Sequence, residues 1–144
     1  MLRVFLTDDD EDDRLFFQES IESIDIETEL VLFENGNELM SYLNADDAKL
    51  PHLIFLDLNM PIKNGLECLK EIKNSDKLKD LLIAIYSTSS SEKDIETTFV
   101  NGANIYINKP DNFNSLKTSI EKVLKINWQY HTSNLNRETF LFRI

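Results

Sequence analysis

The chain contains one cysteine, two histidines, three glycines and three prolines in 144 residues. A lone Cys68 excludes an internal disulfide, and with only His52 and His131 it cannot complete a four-ligand Cys/His zinc site. Scarce glycine and proline, beside 42% hydrophobic and 28% charged residues, exclude collagen-like, low-complexity and wholly disordered chains. Long apolar runs are also missing. The longest, Leu81 to Tyr86, falls far short of the ~20 residues of a membrane helix, and Asp8 cuts off any signal-peptide core beginning at Val4. Basic residues are few: 15 against 26 acidic ones leave a net charge of −11, which repels nucleic acid and favours cations or basic protein surfaces. The expectation is a single cytoplasmic domain with no membrane segment and no direct nucleic-acid binding.

What is present is an alternation of two periodicities. Leu2 to Thr7, Thr28 to Phe33, His52 to Leu56, Leu81 to Ile85 and Ile105 to Ile107 are short apolar, β-prone runs, several apolar on both faces as in covered parallel strands. Between and after them, apolar residues recur at helical spacing: Phe17, Ile21 and Ile24; Leu39 and Leu43; Leu66, Leu69 and Ile72; Ile95 and Phe99; Leu116, Ile120, Val123 and Leu124. Five strands alternating with five helices predict an α/β fold, a doubly wound five-stranded parallel sheet of flavodoxin-like order 2-1-3-4-5 with helices on both faces. The chain divides into a domain at 1–126 and a tail at 127–144, whose Phe140, Leu141, Phe142 and Ile144 are too apolar for a solvated tail and are expected to dock on the domain or on a partner subunit.

In such a sheet, ligands bind beyond the carboxyl ends of the strands, where the strand order reverses. Those ends deliver Asp8, Asp9 and Asp10 after the first strand, Asp57 after the third, Ser87 and Thr88 after the fourth and Lys109 after the fifth. Carboxylates from adjacent strand ends repel one another unless a hard cation lies among them, and oxygen-only ligation suggests Mg²⁺. A cation, an ammonium and a hydroxyl together can stabilise a transferring phosphoryl group. Asp57, projected by an apolar strand beside the acidic pair, is the best-placed nucleophile, and its product is an aspartyl phosphate.

Asp8-Asp9, Phe55-Leu56-Asp57-Leu58-Asn59-Met60-Pro61 with Gly65, Ser87-Thr88 and Tyr106-Ile107-Asn108-Lys109-Pro110, in this order and at four strand ends, resemble the receiver domain of two-component response regulators, the CheY-like family. The resemblance covers about residues 2–126. It implies that Asp57 accepts a phosphoryl group from a sensor histidine kinase, and that Asp9, Asp57 and the backbone carbonyl of Asn59 contact Mg²⁺ directly while Asp8 acts through water. It further implies that Lys109 pairs with Asp57 and then its phosphate, that Ser87 bonds the new phosphoryl oxygen while Tyr106 swings toward the space vacated, and that Lys109-Pro110 is cis. The altered surface is then the fourth helix, fifth strand and fifth helix, a surface that also suggests a homodimer. With too little chain after residue 126 for an output domain, the expectation is a stand-alone receiver that is not an enzyme beyond its own phosphorylation and dephosphorylation. Its partners would be a downstream protein or, in a relay, a histidine phosphotransfer domain. Thr88, larger than the family's usual small residue, and Asp111, where an aromatic is common, are departures affecting phosphate access and the partner-facing loop.

Two other readings use the same residues. Asp8, Asp10, Asp12 and Glu19 fit positions 1, 3, 5 and 12 of a calcium loop, but Asp13 stands where the turn demands glycine. A haloacid-dehalogenase-like phosphatase also carries a nucleophilic aspartate after a strand, but its second acid two residues on is Asn59 here. Asp10 to Asp13 read as a solvated first helical turn, and Cys68, His52 and His131 have no catalytic setting.

Overall fold

The computed structural model describes residues 1–126, 128–133 and 135–142. Strands β1 (Leu2–Thr7), β2 (Thr28–Phe33), β3 (Leu53–Leu56), β4 (Leu82–Ser87) and β5 (Ile105–Asn108) alternate with helices α1 (Glu11–Glu22), α2 (Gly36–Leu43), α3 (Gly65–Lys73), α4 (Glu92–Val100) and α5 (Phe113–Leu124). The strands pair in parallel in the expected order 2-1-3-4-5. The sheet then continues. Short helices α6 (Trp128–Ser133) and α7 (Arg137–Phe140) lead into β6 (Leu141–Phe142), which adds to β5 in parallel with Tyr106 opposite Leu141 and Ile107 opposite Phe142. The edge expected at β5 is therefore covered by the chain's own carboxyl-terminal segment. Ile144 lies outside the described residues.

The period-two alternation of the strands sorts side chains into two cores. Phe5, Ile54, Leu56, Ile83, Ile85 and Tyr106 face the α2, α3 and α4 side, with Phe140. Val4, Leu6, Phe55, Ala84, Ile105 and Ile107 face α1 and α5, meeting Phe17, Ile21, Leu116, Ile120 and Val123. Full burial of such a side chain is worth about 1.5–3 kcal/mol, which is why these strands need apolar residues on both faces. Each of the five long helices begins at an Asp, Asn or Ser whose side chain accepts a backbone N–H of the first turn, from Asp10, Asn35, Asn64, Ser91 and Asn112 in chain order. These caps fix where each loop ends, and so how far each loop projects over the sheet's carboxyl rim. No helix among the described residues is long and apolar enough to cross a membrane.

Candidate functional site

β1 ends by delivering Asp8, fully buried, with Asp9 exposed beside it. β3 ends by delivering Asp57, 5% exposed. Carboxylate oxygens of Asp8, Asp9 and Asp57 lie within 4.8 Å of one another. From the end of β5, Lys109 Nζ reaches under this group, 2.8 Å from Asp8 Oδ2, 3.0 Å from Asp13 Oδ2 and 3.5 Å from Asp57 Oδ2. Its ammonium also sits 5.1 Å from the centre of the Tyr86 ring. Sequence reasoning paired Lys109 with Asp57, whereas its tighter contacts are to Asp8 and Asp13.

The expectation of a merely solvated Asp13 in the first turn misses its contact as a third carboxylate on Lys109. A signal was available. Asp13 stands four residues before buried Phe17 and eight before buried Ile21, so it heads the inward stripe of α1 while its side chain stays partly exposed. Arg14, next along, donates to the Asp8 backbone oxygen at 2.8 Å and ties the β1–α1 loop down.

The electrostatics follow from burial. Desolvation pushes Asp57 up to about 6 despite Lys109, with the Asp8 charge adding to the rise and the Asn59 N–H opposing it. Desolvation also raises Asp8, against its hydrogen bonds from Lys109 and the Asp10 N–H. Lys109 is raised as well: burial disfavours its charge, but Asp8, Asp57 and Asp13 outweigh that cost and keep it an ammonium. One ammonium therefore serves three carboxylates, with Asp9 a fourth beside Asp8 and Asp57. The surplus negative charge and the all-oxygen donor set fit a hard divalent cation.

The third-strand loop is shaped by close approach. A Cβ on Gly65 would lie 2.1 Å from the Asp57 backbone oxygen and 2.8 Å from Leu58 Cα, so only glycine lets α3 begin this near the strand end. Within the loop, Ile62 adopts a φ of 68°, and Lys63 N donates to Pro61 O at 2.7 Å, closing a three-residue turn of the strained positive-φ kind. Asn59 is exposed, and its N–H reaches Asp57 Oδ1 at 3.3 Å. The Lys109-Pro110 bond corrects an expectation. No peptide bond among the described residues is cis, so this one has the trans form that an isolated X-Pro bond favours by about 0.5–1 kcal/mol.

Ser87 and Tyr106 are joined through the β4–α4 loop. Buried Ser87 Oγ accepts the Ser89 N–H at 3.1 Å, and the Tyr106 hydroxyl, from the next strand, donates to Ser89 O at 2.7 Å. Asn108 Nδ2 donates to the same carbonyl at 3.0 Å, and Lys109 N donates to Ser87 O at 2.7 Å. Tyr106 already points inward, fully buried. Thr88 is exposed, as is Asp111.

A family model described as the response regulator receiver domain matches residues 4–121. The chain belongs to this family. It is 30% identical over 124 residues to response regulator Rcp1 of Synechocystis sp., covering 83% of this chain and 84% of that one. It is 28% identical over 127 residues to chemotaxis protein CheY1 of Helicobacter pylori, covering 88% and 99% respectively. Among solved structures, the phosphorylated cyanobacterial phytochrome response regulator RcpA superposes with a TM-score of 0.79 at 32% identity, covering 94% of this chain and 96% of its own. The Mn²⁺-bound form of Rcp1 gives 0.77 at 29% identity, covering 85% and 91%. The receiver is thus a signalling domain of a two-component system, a class in which phosphorylation falls on an aspartate with a divalent cation present. Receivers of this class interact with sensor kinases and downstream targets.

Proposed function

We propose that Asp57 of this receiver is the phosphoacceptor, that Asp8, Asp9 and Asp57 hold Mg²⁺ together with the Asn59 backbone carbonyl, with Asp8 acting through water, and that Lys109 and Ser87 complete the site. The observation that carries this reading is the convergence of three carboxylates within 4.8 Å, two of them buried, over a single buried ammonium. When bound, the cation offsets the charge that accumulates between the carboxylates and the phosphoryl oxygens. A carboxylate oxygen of Asp57 attacks phosphorus of a kinase phosphohistidine, an O–P bond forms as the N–P bond breaks, and the electron pair of that bond leaves with the imidazole, which then takes a proton. At pH 7, above its value of about 6, Asp57 is mostly ionised and ready to attack. Lys109 neutralises a phosphoryl oxygen, and the Ser87 hydroxyl donates to another.

The added charge of roughly −1.5 to −2 shifts the receiver only as far as its two states differ in affinity for it. The element that differs is the β4–α4 loop with Tyr106, and the surface it alters is α4, β5 and α5. Its partners are a sensor histidine kinase and a downstream protein in the cytoplasm, and a homodimer uses the same face. The domain proper is 1–126, with 127–144 as its tail. The receiver has no catalytic role beyond its own phosphorylation and dephosphorylation. Incubation with Mg²⁺ and acetyl phosphate is expected to add one phosphoryl group by intact mass to the wild type and none to Asp57→Asn; an equal adduct on the variant would overturn the assignment.

A further inference from the structure

The carboxyl-terminal segment reaches the same switch from the opposite side. Phe140 is fully buried, its ring centroid 6.1 Å from that of Tyr106 and 5.2 Å from that of Phe99 on α4. A run of contacts therefore links the phosphoacceptor side to the tail: Ser87 Oγ to the Ser89 N–H, Ser89 O to the Tyr106 hydroxyl, and the Tyr106 ring to Phe140. The tail's hold on the edge is short. β6 pairs with β5 over two residues, and α7 is a four-residue turn whose Glu138 and Thr139 N–H groups are held by Asn136 Oδ1 at 2.9 and 3.1 Å. Beside it, Ile95, Tyr106, Pro110 and Leu141 line an open cleft of about 590 Å³ between α4, β5 and the start of α5. A side chain displaced from its present position has room there.

Resting on the reading of Asp57 as phosphoacceptor, we infer that Phe140 to Phe142 are a built-in cover over the β5 edge, released by phosphorylation, and that the uncovered edge receives an extended segment of the downstream partner. The cover's own chemistry specifies that segment: an aromatic side chain for the socket between Tyr106 and Phe99, then an aliphatic residue opposite Tyr106, entering parallel to β5. Turning the Ser87 hydroxyl toward a phosphoryl group on Asp57 removes the acceptor of the Ser89 N–H. The loop that holds the Tyr106 hydroxyl moves with it, and a Tyr106 ring that shifts toward the cleft no longer forms one wall of the Phe140 socket. Beyond the two-residue pairing with β5, Phe140 and Leu141 are held by apolar packing, and that hold weakens once the wall moves.

Hydrogen exchange on the full chain, with Mg²⁺ alone and with Mg²⁺ and beryllofluoride, tests the release. The amides of residues 140–142 and of Tyr106 to Asn108 are expected to exchange at least tenfold faster with beryllofluoride, and Asp57→Asn is expected to abolish the change. Beryllofluoride binding with unchanged exchange overturns the cover and leaves the phosphoacceptor reading intact. No beryllofluoride response together with no acetyl phosphate adduct overturns the phosphoacceptor reading, and the release with it.

The socket is tested separately with a labelled synthetic peptide of residues 136–142. It is expected to bind full-length Phe140→Ala, whose socket is vacant, at least tenfold more tightly than the wild type, with Phe140→Leu between the two. The same peptide with its Phe140 replaced by alanine should bind none of them. Equal binding to all three chains overturns the socket. A tail-exchanged dimer by sedimentation, in place of a monomer that binds peptide, overturns the assignment of the occupant to another protein.

Discussion

The two ends of the sheet balance their charges differently. At the amino ends, the Arg3 guanidinium donates to Glu29 at 2.5 Å, to the Tyr42 hydroxyl at 2.9 Å and to Lys49 O at 3.0 Å, while its backbone N–H donates to His52 Nδ1 at 2.9 Å. One cation meets one carboxylate and neutral acceptors, and the group is closed. At the carboxyl ends, Asp8, Asp13 and Asp57 share the Lys109 ammonium with Asp9 beside them, and burial raises Asp8 and Asp57. A matched network holds structure; an unmatched one stores repulsion that a ligand relieves. The difference marks which end of an otherwise symmetric layered fold does chemistry.

The sharpest way to break this comparison is to take away positive charge from the unmatched end. Chelating divalent cations, or making Lys109→Gln, is expected to slow acetyl phosphate labelling on the order of 10²–10³-fold, the scale of losing one electrostatic stabiliser of the transferring group. Labelling followed by intact mass against time provides the check.

A smaller effect concerns stability against pH in metal-free protein. Asp57 holds its proton more tightly folded, to about 6, than unfolded. The folded state therefore binds more protons between roughly pH 4 and 6, and stability falls as pH rises through that window. Asp57→Asn should flatten this loss, of about 3 kcal/mol at most, and Mg²⁺ should reverse it by binding the carboxylate. Denaturant melts at pH 4.5 and 7, with and without Mg²⁺, measure it.

Gly65→Ala sharpens the same contrast through geometry. Its methyl group would meet the Asp57 carbonyl, so the variant should lose about 1–3 kcal/mol and label more slowly, since the loop that holds Asp57 must shift; thermal melts and labelling rates read both. Arg3→Gln, at the matched end, is expected to cost about 1 kcal/mol or less and to leave the labelling rate unchanged. A labelling defect in Arg3→Gln would abolish the distinction between the two ends.

Much of the fold was legible because buried parallel strands must be apolar on both faces, as Leu53 to Leu56 and Leu82 to Ile85 are, and their alternation with helices points to a doubly wound sheet. Membership of the receiver family was legible in the strand-end residues and is borne out by the family match. Asp57 and Lys109 stood out because each follows such a strand. Asp13 did not, since it closes an acidic run and only its place on the Phe17 stripe betrays it. Ile62 was equally hidden. No residue pattern predicts a β-branched side chain at positive φ, a conformation imposed by the loop around it.

The sequence by itself determined the periodicities, and through them the layers and the strand ends on which the acids, hydroxyl and ammonium appear, because burial of apolar residues at strand and helix spacing is a local pattern. Only the tertiary structure decided the contacts. Lys109 lies nearest Asp8 and Asp13, Tyr106 is tied to Ser89, and Phe140 closes on Tyr106 from a tail whose destination its composition left open. Contacts between residues far apart in the chain depend on where helices pack and loops close, and no local pattern encodes those positions.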